Sequence, residues 1–363
     1  MSTFSNVYTV VLAGGVGSRF WPASTPARPK QLLPLASDTP LIEETLARAV
    51  GLAGPRRLVV VTSAQLAAAF ADLDDLSSAS VLCEPEPRGT GPALVWAAHE
   101  IERREPGATM ISMHADHRIV PFEGLETTLE RAVECAGHGY LVCVGARPDR
   151  YETGYGYVHL GPPMGDGAHE VARFTEKPDL ATAQTFVDSG EVLWNTGIFV
   201  WRCADFLAAA EEAPELAAAL PRLRDGDVEG FFSSVRPIAV DRAIMERAAR
   251  VATVEARFEW DDVGVWNALA RARGVDSNGN AIVGRARLAD ARDNLVWCEN
   301  SRANLIGVTG LLVVEANGEI LVMPRECAGD LNLWRERLTD ADPPGPTATR
   351  SSTGDRAGKE TAG

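Results

Sequence analysis

Leu12-Ala13-Gly14-Gly15-Val16-Gly17-Ser18-Arg19 closes an apolar run that begins at Val7. A glycine loop at the end of a buried strand lets the backbone approach a ligand closely. Its N–H groups can cradle phosphate, since no Cβ blocks them. The loop is not a Walker loop, because no Gly-Lys-Ser/Thr follows. Nor is it the dinucleotide fingerprint: Phe20 stands where the third glycine would fall, and no acid-ended second strand follows at the right distance. Outward from the loop, strand-like runs at 7–13, 58–62, 110–113 and 140–145 alternate with amphipathic stretches at 41–50, 64–73, 93–103 and 125–135. Continuous apolar strands separated by helices predict a sheet covered on both faces. The expected fold is α/β, with a Rossmann-like mixed, mostly parallel sheet flanked by helices, whose ligands bind at the carboxyl ends of the strands.

The second half reads differently. Runs 171–175 and 193–201 read as strands, and 204–220, 243–249 and 266–273 as helices. Beyond Asp276, short apolar runs at 280–288, 295–299, 305–308, 311–315 and 320–323 are punctuated by Gly and Asn. They predict a small β domain, β-helix-like, with a short helix at 330–338. The expected organisation is a catalytic domain over 1–275, a small C-terminal β domain over 276–338 and a disordered tail over 339–363, where Pro, Gly, Ser, Thr and Ala take over.

The 363 residues include 50 acidic and 35 basic side chains, a net charge of −15. Such a balance argues against non-specific nucleic-acid binding, which rests on phosphate neutralisation. The absence of any long apolar run argues against a membrane span, and the start lacks the basic region of a signal peptide. The six cysteines are scattered without a C-x-x-C pair and read as reduced core residues of a cytoplasmic protein.

Arg19 is followed by Phe20-Trp21-Pro22-Ala23-Ser24 and then by Arg28-Pro29-Lys30-Gln31. Together with the loop, this stretch resembles the signature L-A-G-G-x-G-x-R-x-W-P-x-S…P-K-Q of sugar-phosphate nucleotidyltransferases, most closely the mannose-1-phosphate guanylyltransferases. Matches continue along the chain. Glu84-Pro85-Glu86-Pro87-Arg88-Gly89-Thr90-Gly91-Pro92-Ala93 resembles E-P-x-x-R-N-T-A-P-A, with Gly89 and Gly91 where many relatives have Asn and Ala. His114-Ala115-Asp116-His117 resembles P-x-D-H, with His114 in place of Pro. Thr153–Val158, Phe174–Pro178, Trp194–Phe199 and Trp260–Trp266 resemble T-G-Y-G-Y, F-x-E-K-P, W-N-[ST]-G and W-x-D-V-G-x-W. Residues 237–247 resemble S-I-D-Y-A-V-M-E-K, with Arg247 in place of Lys and no catalytic role assigned to it.

The resemblance implies GTP and mannose 1-phosphate as partners, GDP-mannose and pyrophosphate as products, and Mg²⁺ as cofactor. It places catalysis on Arg19, Lys30, Asp116 and Asp262, the two aspartates being the metal ligands. Leu12, Ala13, Gly14, Gly15, Gly17, Glu84, Arg88, Gly89, Thr90 and Pro92 fall on its nucleotide site. Gly156, Glu176, Lys177 and Asn195 fall on its sugar-phosphate site. The residue types suit the chemistry: guanidinium binds phosphate in bidentate fashion, ammonium acts as a mobile point charge, and carboxylates facing phosphates suit hard Mg²⁺ better than zinc. Read locally, Thr90 is also the N-cap of the helix that follows it, Asp261 caps a helix near Trp266, His117 is structural, and Ser24 has no role. Transfer of another nucleotide to glucose 1-phosphate (thymidylyl or uridylyl) and a non-catalytic GDP-mannose-binding homologue are the alternatives. A homodimer through the β domain is expected.

Overall fold

The computed structural model describes residues 3–15, 17–73 and 76–341, the last three by their backbone alone. Among them the chain forms β1 (Val7–Leu12), β2 (Leu58–Ser63), β3 (Ser80–Glu84), β4 (Thr109–His114), β5 (Arg118–Val120), β6 (Leu141–Ala146), β7 (Gly156–Gly165), β8 (Ala168–Glu176), β9 (Val192–Arg202), β10 (Val251–Glu255), β11 (Glu259–Asp261), β12 (Ala281–Ala289), β13 (Leu295–Ile306), β14 (Leu311–Ala316) and β15 (Glu319–Pro324). Nine build one sheet in the order β3-β2-β1-β4-β9-β6-β10-β8-β7, in which only β8 and β9 run against the rest.

Every residue of β1 is buried, as a strand covered on both faces requires. Helices Leu41–Ala53 and Phe122–Gly137 pack on one face through Ile42, Leu46, Leu125 and Leu129. Helices Thr90–Arg104 and Cys203–Glu212 pack on the other through Leu94, Ile101 and Phe206. The α/β, mostly parallel expectation holds.

Several elements differ from the sequence reading. The helix expected over 204–220 breaks at Pro214, which has no N–H to continue the ladder, into Cys203–Glu212 and Pro214–Ala217. At 243–249 there is instead one wide helical turn, Asp241–Met245, and the helix expected at 266–273 covers only Ala268–Arg273. Strands β3, β5, β7, β10 and β11 went unread. Pro162 and Pro163 masked β7, since proline argues against a central strand. The cysteine reading holds for four buried thiols; Cys83 faces solvent on the edge strand β3, Cys327 is half-buried, and all six are free.

Strands β12, β13 and β14 stack in parallel and β15 closes the sheet antiparallel. The runs expected at 295–299 and 305–308 are the two ends of β13. Successive rungs are linked by buried asparagines: Asn294 Nδ2 donates to Asn280 Oδ1 at 2.9 Å, and Leu311 N donates to Asn294 Oδ1 at 2.9 Å. This small sheet is anchored to the segment that follows the glycine loop. Asn317 Nδ2 donates to Pro22 O at 2.7 Å, Arg28 pairs with Glu299, and Trp266 meets Trp297 edge-on at 5.6 Å.

The chain divides into two compact units, Met1–Gly329 and a second that begins at Asp330 and contains helix Leu331–Ala341. Most of the expected disordered tail, 342–363, lies outside the described residues. No helix among the described residues is long and apolar enough to cross a membrane.

Candidate active site

The carboxyl ends of β1 and β4 lie side by side, with Leu12 paired to His114. Ala13, just beyond, is tied down by Val61 O on its N–H at 2.9 Å and by Thr62 Oγ1 on its carbonyl at 2.8 Å. Beyond it the glycine loop opens. A Cβ on Gly14 or Gly15 would meet nothing within 4 Å, and Gly15 has φ +86°. From below, Gln31 Nε2 holds the loop by its carbonyls, at 3.1 Å to Gly14 O and 3.0 Å to Gly15 O. Gly17 (φ +66°) must be glycine, since a Cβ there would stand 2.2 Å from Lys30 Cβ. Ser24 Oγ donates to Gly17 O at 2.7 Å, so Ser24, given no role from the sequence, fixes the turn that admits Lys30. Val16 lies outside the described residues.

Lys30 is the centre of the site. Its stem is buried under the loop, and its Nζ donates to Asp116 Oδ2 at 2.9 Å and to the Asp262 main-chain carbonyl at 2.8 Å. Two aspartates far apart in sequence thus meet through one ammonium. Burial would push the Asp116 carboxyl up, but the Lys30 ammonium beside it holds it at about 2. At Asp262 burial wins and moves the carboxyl upward, opposed by the hydrogen bond from Tyr155 and by Lys30. Arg19 is exposed and has no partner among the described residues, a guanidinium free for an incoming phosphate.

The backbone aims Asp262 through a strained turn. Val263 has φ +46° while fully buried, a conformation that costs a β-branched residue about 1–3 kcal/mol. Side chains on either flank stabilise it: Asp261 Oδ1 accepts from Val263 N at 2.8 Å, and Asp262 Oδ1 from Gly264 N at 3.0 Å. Asp261 is therefore not a helix cap. It takes this amide and a two-pronged bond from Arg271, at 2.6 and 3.1 Å.

His114, Asp116 and His117 offer ligand atoms within 4.8 Å of one another. Burial drives both imidazoles toward the neutral form. Trp260 Nε1 donates to His117 Nδ1 at 3.2 Å, which leaves the proton of the neutral ring on Nε2, the nitrogen 3.9 Å from Asp116 Oδ1. His117 is thus a protonated neighbour of the carboxylate, not a lone-pair donor beside it.

The sugar-phosphate residues form a second group. A Cβ on Gly156 would stand 2.8 Å from Glu176 Oε2 and 3.5 Å from Asn195 Cβ, so these three converge. Lys177 (φ +44°) is largely exposed and folds back on Glu176, with Nζ 3.1 Å from Oε1. Asn195 Nδ2 donates to Asp241 Oδ1 at 2.6 Å, and its Oδ1 accepts from Gly197 N at 3.0 Å. Asp241 is a half-buried partner whose role is not legible from its place in the matched 237–247 stretch.

The nucleotide residues lie along the end of β3 and the next helix. The Glu84 carboxyl has no hydrogen-bond or ion-pair partner among the described residues, and burial pushes it up to about 7. Arg88 pairs with Glu86 at 2.8 Å. Gly89 (φ +83°), not Thr90, is the helix N-cap, and Thr90 Oγ1 instead accepts from Val240 N at 2.9 Å. The two departures from the resembled pattern have one cause. A Cβ on Gly89 would stand 2.6 Å from Ile238 O and one on Gly91 3.0 Å from it, because the 238–240 segment is laced onto this turn. Pro92 is buried in the first turn of that helix. Arg247, left unassigned, points outward and pairs with Glu215 at 2.6 Å.

A family model for nucleotidyl transferases matches residues 8–278. The xanthan biosynthesis protein XanB of Xanthomonas campestris pv. campestris is 33% identical over 89% of this chain and 71% of its own. The mannose-1-phosphate guanylyltransferase of Escherichia coli K12 is 33% identical over 92% of this chain and 74% of its own. The crystal structure of mannose-1-phosphate geranyltransferase from Thermus thermophilus matches with a TM-score of 0.86 at 33% identity, covering 92% of this chain and 99% of that one. The match spans the whole nine-stranded sheet and every side chain of the Lys30 centre: the chain belongs to the nucleotidyl transferase family.

Proposed function

We propose that this chain transfers GMP from GTP to mannose 1-phosphate, giving GDP-mannose and pyrophosphate. The observation that carries the chemistry is the Lys30 ammonium clamped between Asp116 and Asp262 beneath an open glycine loop, with Arg19 unpaired at its rim. The choice of substrates is supported by relatives named mannose-1-phosphate guanylyltransferase. A sugar-phosphate oxygen attacks the α-phosphorus in line, the new P–O bond forms, and the bond to the β-phosphate oxygen breaks. The nucleophile is already an anion, so no general base is needed; the obstacle is bringing two polyanions together. Arg19 and Lys30 supply fixed positive charge to the triphosphate, Lys177 supplies it to the sugar phosphate, and Glu176 and Asn195 orient the hexose through its hydroxyls. Gly14, Gly15 and Gly17 offer backbone, while Glu84 and the 88–92 turn face the base.

Asp116 and Asp262 would hold Mg²⁺. Two carboxylates, that of Asp116 already paired with the Lys30 ammonium and that of Asp262 with an Oδ2 making no hydrogen bond among the described residues, form an oxygen donor set that fits a hard ion. Bound there, Mg²⁺ would neutralise charge at the α-phosphate. We further propose that 1–275 acts as the catalytic domain in the cytoplasm. The 276–338 β domain pairs two copies of the chain, an arrangement that the exposed Ile320 and Val322 of β15 favour.

The test is a matrix of four nucleoside triphosphates against mannose 1-phosphate and glucose 1-phosphate with Mg²⁺, each product identified by mass. GDP-mannose formed in preference to all others supports the reading; preference for dTTP or UTP with glucose 1-phosphate overturns it.

A further inference from the structure

We propose that Tyr155, itself held by Arg150, is a positioning residue that orients the Asp262 carboxylate for metal binding. Tyr155 stands at the mouth of β7, and 107 positions separate it from Asp262 along the chain. Its hydroxyl donates to Asp262 Oδ1 at 2.7 Å and accepts from Arg150 Nη2 at 3.0 Å. The direction of this relay is fixed by chemistry. A guanidinium has donors only, so the Tyr155 oxygen must be the acceptor toward Arg150, and its single proton must point to Asp262. Chains of this kind reinforce each other in a buried setting.

The surroundings hold both donors in place. The Tyr155 ring is 7% exposed and packs edge-on against Trp194 at 5.2 Å and Trp260 at 5.0 Å. Arg150 lies over the Trp194 ring at 4.6 Å. Its other Nη2 neighbour is Asp261 Oδ2 at 3.6 Å, so the same guanidinium reaches Asp261 directly and Asp262 through the Tyr155 hydroxyl.

The consequence lies in which oxygen remains. Oδ1 of Asp262 is taken twice, by Tyr155 and by the Gly264 amide at 3.0 Å. Oδ2 lies alongside Gly264, where a Cβ would stand 2.6 Å from it, and makes no hydrogen bond among the described residues. Tyr155 and Gly264 thus hold the carboxylate so that it presents one oxygen. Mg²⁺ uses few protein oxygens and keeps several waters, so a one-oxygen ligand of fixed direction is what it needs. Partners behind a metal ligand typically alter metal affinity 10–100-fold when removed.

The inference rests on the reading of Asp262 as a metal ligand, and the experiment separates the two. Mn²⁺ binding to the full chain is followed by electron paramagnetic resonance for the parent, Tyr155→Phe, Arg150→Met and Asp262→Asn, with steady-state kinetics and melting curves alongside. Tyr155→Phe should weaken Mn²⁺ binding about 10-fold or more and raise the Mg²⁺ concentration for half-maximal rate by a similar factor. The KM for mannose 1-phosphate should stay within about twofold of the parent. Arg150→Met should move the same two quantities in the same direction, which keeps the relay testable if Tyr155→Phe proves unstable. Unchanged Mn²⁺ affinity in both variants, or a raised sugar-phosphate KM with unchanged metal affinity, overturns the proposal. Unchanged Mn²⁺ binding in Asp262→Asn removes the ligand assignment itself, and the proposal with it.

Discussion

Lys30 has two roles that one substitution removes together. It brings charge to the site, and it is the counter-ion of the half-buried Asp116 carboxylate. Lys30→Ala should lower turnover at least about 100-fold, as loss of a charge-assisted phosphate contact implies. It should also lower the melting temperature, because removing one partner leaves the other charge uncompensated. Turnover within twofold of the parent would take Lys30 out of the site. Ser24→Ala, harmless on the sequence reading, should cost about 1 kcal/mol in urea unfolding through its bond to Gly17 O.

Glu84 yields a pH prediction. Its folded pKa, about 7 against a usual 4.5, is raised, so the stability linked to it is fully present below pH 4.5 and lost as pH rises through 7. Glu84→Gln should therefore gain melting temperature over the parent between about pH 5 and about pH 8; a constant gap contradicts this. The charged residues were legible because their chemistry repeats a known pattern at fixed spacing. Tyr155, Gln31, Asp241 and Arg150 were not assigned, since each acts through a partner brought near only by folding.

At the scale of elements, the parallel half of the sheet was readable because buried strands are apolar at every position, as β1, β2 and β6 are almost throughout. What the sequence concealed were joints. The Gly89–Gly91 turn looks like a helix start with two substitutions, and only the passage of the Ile238 carbonyl explains them. Gly89→Asn, which restores the resembled pattern locally, should destabilise the chain by at least about 1–3 kcal/mol, since φ +83° and a 2.6 Å approach to main chain both oppose a Cβ. Equilibrium unfolding that shows no loss would mean the 238–240 segment is free to retreat.

For the molecule as a whole, the C-terminal sheet is a support as well as an appendage. Asn317, Glu299 and Trp297 hold Pro22, Arg28 and Trp266, and so brace the segment between Arg19 and Lys30. A chain ending at Arg273 should melt lower and bind GTP more weakly than the parent, by calorimetry on both; unchanged values would show that the support is dispensable. The central claim is that Asp116, Asp262 and Lys30 form one charge-neutralising centre for attack at the α-phosphorus. The most direct measurement is single-turnover release of pyrophosphate from GTP and mannose 1-phosphate with Mg²⁺, in the parent, Asp116→Asn and Asp262→Asn, with GTP binding measured on the same samples. The account predicts a fall of roughly three orders of magnitude in both variants with the folded chain still binding the guanine nucleotide. Release within about tenfold of the parent in either variant, or full release in EDTA, would contradict it.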